Sequence, residues 1–180
     1  VEEDPDLPRY FHNNSIMLFD VTEHIRYNLN RIQIRSSSVI DDPLCLAYPP
    51  MLMGNFSIRK GTRGWILSDA EISNIRHGSW TDFGFPYLSG KGVYSQSFEV
   101  PDNYKKVFLN FKDVSGSLSV VVNDVDFGIK NWAPYSFDIT DVLKKRRNIL
   151  SVRVSNTIDN FLRMNSKDSG IINDVYLDVF

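Results

Sequence analysis

The stretch that decides the fold runs from Tyr135 to Asp159 and reads YSFDITDVLKKRRNILSVRVSNTID. Its second part, NILSVRVS, alternates apolar residues with serines and an arginine, which is typical of a strand with one buried face. Asp138 and Thr140 precede this part, and their side chains can hydrogen-bond the backbone where a strand ends. We expect Thr140 to cap a short helical turn. The stretch therefore predicts a strand, a turn and a second strand.

The same alternation recurs through the second half of the chain. The segments lie between turn signals, and Asn123-Asp124 is expected to form the turn of a hairpin. Short alternating strands without long helical periodicity predict an all-β fold, namely an antiparallel β-sandwich or jelly roll. The segments are GKGVYSQSFEVP, KKVFLNFKDV, SLSVVVN, DVDFGIK and VYLDVF.

The first half contains the deciding phrase a second time, as MLFDVTEHIRYNLNRIQIRSSSVID over Met17–Asp41. An ungapped alignment of Phe19–Asp41 with Phe137–Asp159 gives eight identities in 23 positions. Self-similarity at a fixed spacing predicts two copies of one structural unit, in which Thr22 would cap a turn as Thr140 does. The identical pairs are Phe19/Phe137, Asp20/Asp138, Thr22/Thr140, Asn30/Asn148, Arg35/Arg153, Ser37/Ser155, Ile40/Ile158 and Asp41/Asp159.

The two copies differ in completeness, because the first lies close to Val1 and has little sequence before it. We expect residues 1–58 to be the C-terminal part of a first jelly-roll-like unit. Residues 59–64 (RKGTRG) would be a junction, and residues 65–180 a complete unit. The opening VEEDPDLPRY reads as a cut into a longer protein. Since a partial sandwich exposes sheet edges, we expect another domain or a second chain to cover residues 1–58.

Composition excludes several classes of function. The net charge is −2, so a clustered basic surface for nucleic acid is not expected, and the basic run at 144–147 is interpreted as a solvated connection. The single cysteine, Cys45, excludes an intrachain disulfide. His12, His24 and His77 lack metal-ligand spacing. No apolar run approaches the roughly 20 residues of a membrane-spanning helix.

Several passages resemble the galactose-binding-like jelly rolls that accompany glycoside hydrolases, such as the sugar-binding domain of family 2 β-glycosidases. They are VVNDVDFG with the following WAPYSFDIT and NILSV, the earlier GFPYLSGKGVYSQSFEVP, and the closing SGIINDVYL. The resemblance covers residues 65–180 well and 16–58 in part. Asp124 and Arg147 stand where the family usually has glycine. The matching residues are Asn123, Gly128, Asp138, Thr140, Asn148, Val152, Val154, Gly84, Pro86, Tyr87, Ser89, Gly90, Tyr94, Phe98, Pro101 and Gly170.

The resemblance implies a non-catalytic carbohydrate-binding or scaffold module of a larger, bacterial glycoside hydrolase. Its location would be extracellular or periplasmic, although one cysteine is equally compatible with the cytosol. Its partners would be a glycan, the catalytic domain of the parent protein, or both, with no nucleic acid and no membrane. No cofactor is expected; related modules sometimes hold Ca²⁺, but the sequence has no D-x-D-x-D-G loop. A stand-alone lectin or adhesin and a purely structural packing module are the alternatives.

The candidate carbohydrate-binding residues are aromatic side chains and their polar neighbours. A pyranose ring stacks on an exposed aromatic face while amide or guanidinium groups contact its hydroxyls. Each aromatic side chain has an alternative interpretation as packing, because large aromatics are usually buried. No catalytic residue is expected, since no motif marks the acid and nucleophile pair of a glycosidase. The candidates are Trp80, Tyr87, Trp132, Tyr135, Asn156, Asn160 and Arg163, with Phe83 and Phe85 as further aromatics.

Overall fold

The fold is described from a computed structural model, which covers residues 18–34, 50–62, 64–69 and 77–180. The chain forms two compact units, Val1–Leu52 and Met53–Phe180, and each is described by itself. The second unit contains a short helix, α1 (Asp159–Leu162), and a 3₁₀ turn, Thr140–Val142. Its strands are β1 (Phe56–Gly61), β2 (Gly64–Asp69), β3 (Lys91–Phe98), β4 (Val107–Phe111), β5 (Val114–Ser115), β6 (Ser117–Val122), β7 (Val125–Lys130), β8 (Tyr135–Asp138), β9 (Asn148–Ser155), β10 (Gly170–Ile171) and β11 (Val175–Val179).

Two antiparallel sheets make the body of the second unit. One sheet has four strands in the order β3-β9-β6-β7, and the other has three in the order β11-β4-β8. Inward-facing residues of both sheets join in one hydrophobic core, and a short β5–β10 pair adds to the edge. The predicted all-β antiparallel sandwich is therefore confirmed.

The core follows from the alternation in the strands. Leu118, Val120 and Val122 of β6 are fully buried, whereas the residues between them are partly exposed. Strand β4 shows the same alternation, with its inward residues facing the other sheet. Burying one such side chain contributes roughly 1.5–3 kcal/mol, so the alternating residues are the main favourable term for this fold.

The β6–β7 hairpin turns at Asn123 and Asp124, as predicted. Both residues have a left-handed backbone, with φ of 49° and 71°, which is the geometry of a tight hairpin turn. Asn123 tolerates it and is also held by its side chain: its Nδ2 donates to the carbonyl of Val142 (2.7 Å), and its Oδ1 accepts the Ile149 amide (3.0 Å). These bonds fix Asn123 in the turn, and Asp124 is one of the few residue types other than glycine that adopt a left-handed backbone.

The FDIT phrase has a structural role, but Thr140 does not act as the expected cap. Thr140 is the first residue of the 3₁₀ turn, and its backbone amide donates to Oδ1 of Asp138 (3.2 Å). Its hydroxyl donates to the same oxygen (2.5 Å) and accepts the amide of Val107 (3.0 Å). The capping carboxylate is thus Asp138, because an aspartate two residues ahead can reach this amide. Thr140 instead fastens β4 to the end of β8.

Within the predicted junction, Arg59–Gly61 and Gly64 belong to the strands of a β-hairpin. Strands β1 and β2 pair in register, with Phe56 opposite Asp69 and Gly61 opposite Gly64. The division between the two compact units falls at Leu52, ahead of this hairpin. Gly64, which begins β2, has a φ of 133°, a backbone conformation that glycine adopts without strain.

The first unit is described over residues 18–34 and 50–52. A 3₁₀ turn spans Thr22–His24, and the Thr22 amide donates to Oδ1 of Asp20 at 2.9 Å, so aspartate has the role predicted for Thr22. Asn30 accepts the amide of Arg26 and donates to its carbonyl, both at 2.8 Å. The predicted repeat positions Arg35, Ser37, Ile40 and Asp41, together with His12 and Cys45, lie outside the described residues.

Candidate functional site

The predicted site residues gather mainly at the end of the sandwich where β9 ends and β3 begins. Trp80 lies in the core there, with 3% of its surface exposed. Its ring fits against two glycines: a Cβ on Gly92 would come within 2.5 Å of the ring, and one on Gly170 within 2.5 Å of the indole nitrogen. The indole N–H donates to the hydroxyl of Tyr94. Trp80 therefore has no free ring face for a sugar.

Asn156 and Asn160 hold loops together at this end. Asn156 accepts the amide of Gly90 (2.8 Å) and donates to the carbonyl of Leu88 (2.7 Å) and to Oγ of Ser169 (2.9 Å). Asn160 is 3% exposed and donates to the carbonyl of Lys167 (2.8 Å). Both amides satisfy backbone groups of the surrounding loops, a role that loops require at the rim of a sandwich.

Arg163 lies on the surface next to α1. Its Nε is 3.1 Å from Oδ1 of Asp159, and Lys167 Nζ is 2.7 Å from the other carboxylate oxygen. The hydrogen bond from Lys167 is the main reason why the pKa of Asp159 lies below its usual value. Arg163 remains largely exposed, and its position leaves its other guanidinium nitrogens facing solvent.

The two predicted tyrosines differ in exposure. Tyr135 begins β8 and is buried against the core, whereas Tyr87 is half-buried in the loop before β3. Of the further aromatics, Phe85 packs against the core and Phe83 is exposed. A ring buried in this way can offer an edge or a hydroxyl group to a ligand but not a stacking face.

Trp132 is the exposed aromatic of the predicted set, with 75% of its surface accessible. It lies between β7 and β8, where Lys130 Nζ donates to the carbonyls of Pro134 (3.2 Å) and Ser136 (2.6 Å). The same ammonium lies 4.7 Å from the ring centre of Phe137, in a cation–π contact. The loop is thus held at its base while the indole projects outward.

A shallow groove of about 450 Å³ lies at this end of the sandwich, and we name it the end groove. Tyr135 and Asn156 of the predicted set line it, and so does Asn131, the residue before Trp132. Sequence reasoning missed Asn131 and Thr157 among its lining residues. The sequence indicates these two residues only by their neighbours. Asn131 directly precedes the predicted residue Trp132, and Thr157 directly follows the predicted residue Asn156. The end groove presents hydroxyl and amide groups, and Asn131 connects its lining to Trp132, the next residue in the chain.

The carboxyl groups with a displaced pKa in the described part of the chain all have a lowered pKa. The hydrogen bond from the Thr140 side chain, followed by that from its amide, lowers the pKa of Asp138, and the same arrangement with Thr22 lowers the pKa of Asp20. A glycosidase acid needs a raised pKa. Across the described ranges, no group of three or more His, Cys, Asp or Glu side chains could hold a metal ion.

No membrane-spanning helix is found in the described part of the chain, where the longest helix has four residues.

Comparison with known proteins places the fold. No protein-family model matches the chain, and no curated protein matches it. Solved structures do match, among them a β-glucuronidase from Bacteroides uniformis with a TM-score of 0.50 and 22% identity, over 69% of this chain and 17% of that one. The chain shares the fold of that segment.

Other solved structures with a similar segment are also glycoside hydrolases. A rhamnosidase from Novosphingobium sp. PP1Y matches with a TM-score of 0.45 and 23% identity, over 78% of this chain and 16% of that one. Bacteroides uniformis β-glucuronidase 2, covalently bound to cyclophellitol-6-carboxylate aziridine, matches with a TM-score of 0.47 and 20% identity, over 69% and 17%. The chain spans less than a fifth of each of these proteins.

Proposed function

We propose that this chain is a non-catalytic module of a larger glycoside hydrolase and that it contacts carbohydrate through Trp132. The β-sandwich and its occurrence as a small part of long glycoside hydrolases support the first part. The observation that carries the second part is the 75% exposure of Trp132 on a loop fixed at its base. A rigid, exposed indole is suited to stacking because it loses little conformational freedom when a sugar ring covers it.

The surroundings of Trp132 fit a sugar better than an apolar ligand. The end groove, which is lined by the preceding residue Asn131, also contains Ser117 and Thr157, and all three side chains can donate and accept hydrogen bonds. A sugar has one apolar ring face and a rim of hydroxyls, so it needs one stacking surface and several such groups. Asn156 and Asn160 contribute indirectly, since they position the loops that shape the rim.

A non-catalytic role is supported by the state of the carboxylates. Hydrolysis of a glycosidic bond needs one carboxyl group that stays protonated near neutral pH and a second one about 5–9.5 Å away. Within the described residues, every carboxyl group with a clear pKa displacement has a lowered pKa, and these are Asp20, Asp138 and Asp159. Each is tied to a structural hydrogen bond or ion pair, so each acts as a stable anion in the fold.

The same proposal includes the type of domain and the cellular compartment of the parent enzyme. The second unit would be a galactose-binding-like jelly roll, and residues 18–34 would belong to a partial copy of it. The shared geometry supports this. The Asn30 side chain accepts the amide of Arg26 and donates to its carbonyl, and the Asn148 side chain makes the same two hydrogen bonds to Lys144. The parent enzyme would be extracellular or periplasmic, which fractionation of its source cells tests. A structure of the parent protein in which 18–34 join no sandwich would contradict the copy.

Packing against a catalytic domain is the second candidate function. Ile129 is exposed close to Trp132 in sequence, and both could be covered by a neighbouring domain. In that case the module would be a scaffold, and Trp132 would be inaccessible to glycans in the parent protein. A stand-alone lectin would instead bind glycans without any partner domain.

A glycan array probed with the 180-residue chain tests the proposal. We expect binding to a subset of the printed oligosaccharides, loss of that binding in Trp132→Ala, and no hydrolysis of any printed glycan. Ile129→Ala is the matched control, because it removes another exposed apolar side chain from the same region. Lack of binding to every glycan would favour the scaffold, and unaided hydrolysis would contradict the non-catalytic role.

A further inference from the structure

A second and larger groove lies away from the end groove, between the β1–β2 hairpin and the loop of residues 81–86. We name it the hairpin groove. Its volume is about 860 Å³, within the roughly 300–1,000 Å³ usual for ligand sites. It shares no lining residue with the end groove. None of the seven predicted site residues lines it, so it is a separate feature of the sandwich unit.

The hairpin groove is held open by a specific backbone contact. The Ile58 amide donates to the carbonyl of Gly84 at 2.8 Å, which joins β1 to the loop. Gly84 has a φ of 91°, and a Cβ there would come within 3.0 Å of Ser57 Cβ. Only glycine permits this close approach without strain. Gly84 therefore fixes the position of the loop relative to β1.

Two exposed aromatic side chains lie on the walls of the hairpin groove. Trp65 of β2 is 56% exposed, and Phe83 of the loop is 37% exposed. Lys60 stands directly opposite Trp65 in the strand register, so both side chains lie on the same face of the hairpin. Asp69 is on that face as well, four residues along β2, or about 13 Å from Trp65. That length exceeds a single sugar ring.

The charges in the hairpin groove balance. Arg59 and Lys60 are positive, and Asp69 and Asp82 are negative. None of the four forms an ion pair with another described residue. Their hydrogen-bonding capacity is therefore open to a ligand, whereas the zero sum gives no attraction for a polyanion.

The lining also argues against a protein partner. The cores of protein interfaces are depleted of lysine and aspartate, because burying unpaired charges costs free energy. The two exposed aliphatic residues of β2, Ile66 and Leu67, do not line the groove. A ligand with many hydroxyls and bridging waters would leave the four charges partly hydrated and still stack on the aromatic rings.

We propose that the hairpin groove is a second carbohydrate site, which takes a neutral oligosaccharide stacked on Trp65 with Lys60 and Asp82 contacting its hydroxyls. This inference rests on the proposed function only for the chemical class of ligand. It gives the chain two independent sites, one at each groove, and hence a bivalent hold on a polysaccharide.

The test uses the 180-residue chain on an array printed with neutral and uronate-containing oligosaccharides. Trp65→Ala is expected to lower the affinity for a neutral oligosaccharide about tenfold or more. Ile66→Ala, on the opposite face of the same strand, is expected to stay within about twofold of the unchanged chain. Asp82→Asn preserves side-chain shape and is expected to weaken binding several-fold, which keeps the test decisive if Trp65→Ala fails to fold.

Each result decides the inference separately from the proposed function. The proposal for the hairpin groove is supported if Trp65→Ala or Asp82→Asn weakens the binding of neutral glycans. This holds whether or not Trp132→Ala also weakens that binding. Binding that is lost only in Trp132→Ala overturns the hairpin groove and leaves the proposed function standing. A preference for uronate oligosaccharides overturns the neutral-ligand assignment. A chain that binds no printed glycan overturns both.

Discussion

Trp80 and Tyr94 are joined by a hydrogen bond of 2.5 Å from the indole N–H to the phenol oxygen, inside the end of the sandwich. The Tyr94 hydroxyl in turn accepts the amide of Ile171 at 3.4 Å. Trp80 thus links the loop before β3 to the short strand β10. An aromatic residue that sequence reasoning included among sugar-binding candidates is, by its contacts, part of the core.

Replacing Trp80 by alanine is expected to destabilise the sandwich by about 3–5 kcal/mol, because it leaves a large cavity and removes the indole donor of the Tyr94 hydroxyl. Trp132→Ala is the matched control, since it removes the same side chain from the surface and is expected to change stability by less than about 0.5 kcal/mol. Urea unfolding followed by tyrosine fluorescence and circular dichroism measures both. Equal losses of stability would contradict the burial described here.

Gly170→Ala is expected to be strongly destabilising. Gly170 has a φ of 107°, and a Cβ would come within 2.5 Å of Trp80 Nε1 and 2.6 Å of the Tyr94 hydroxyl. Gly128→Ala separates clash from backbone strain, since Gly128 has a φ of 79° but open space where a Cβ would stand. The melting temperature should fall further for Gly170→Ala than for Gly128→Ala. The opposite order would mean that Trp80 does not pack on Gly170.

Asn148→Ala is expected to cost about 2–3 kcal/mol, because it removes a fully buried side chain and its hydrogen bonds to the Lys144 backbone and to Asn123. Asn148 is fully buried and accepts the amide of Lys144 (2.7 Å) while donating to the Lys144 carbonyl (3.1 Å). Asn110→Ala is the control within the same sandwich, since its side chain bonds to Asp178 in a more exposed setting (2.9 Å). Denaturant midpoints of the two variants should differ clearly, and a larger loss for Asn110→Ala would refute this assignment.

Stability should depend on pH through Asp138. Its pKa lies below the usual value because the Thr140 hydroxyl and amide bond to the carboxylate, and Lys106 adds a smaller attraction. A lowered folded-state pKa gives a stabilisation that is present above the unfolded-state pKa of about 3.9 and is lost as the pH falls through the folded-state value. The urea midpoint should therefore drop below about pH 5. The drop should be smaller in Asp138→Asn, and an equal drop in both proteins would exclude this group as a cause.

Much of the sandwich could be read from the sequence, because strand alternation encodes which face is buried. The alternation in NILSVRVS predicts one buried face, and Val152 and Val154 are found in the core; the predicted Asn123-Asp124 turn lies between β6 and β7. The basic run at 144–147 is exposed, as expected of a solvated connection. These features are local, so neighbouring residues determine them.

The site was less predictable, since exposure depends on residues that are distant in sequence. Trp80 and Trp132 both precede loops with turn-forming residues. Trp80 packs against Gly92 and Gly170 and is buried, whereas Trp132 is 75% exposed. Nor did the sequence reveal the pairing of β1 with β2, because the short segments on either side of 62–63 carry no clear alternation of their own. The hairpin groove exists only through the contact of Ile58 with Gly84, which no local pattern indicates.

The most direct measurement uses the indole signals of the three tryptophans in a ¹H–¹⁵N spectrum of the whole chain, titrated with an oligosaccharide selected on the array. The account predicts that the Trp132 signal shifts and saturates while the buried Trp80 signal stays in place. A Trp132 signal that no array oligosaccharide moves would contradict the claim that this module meets carbohydrate through that side chain.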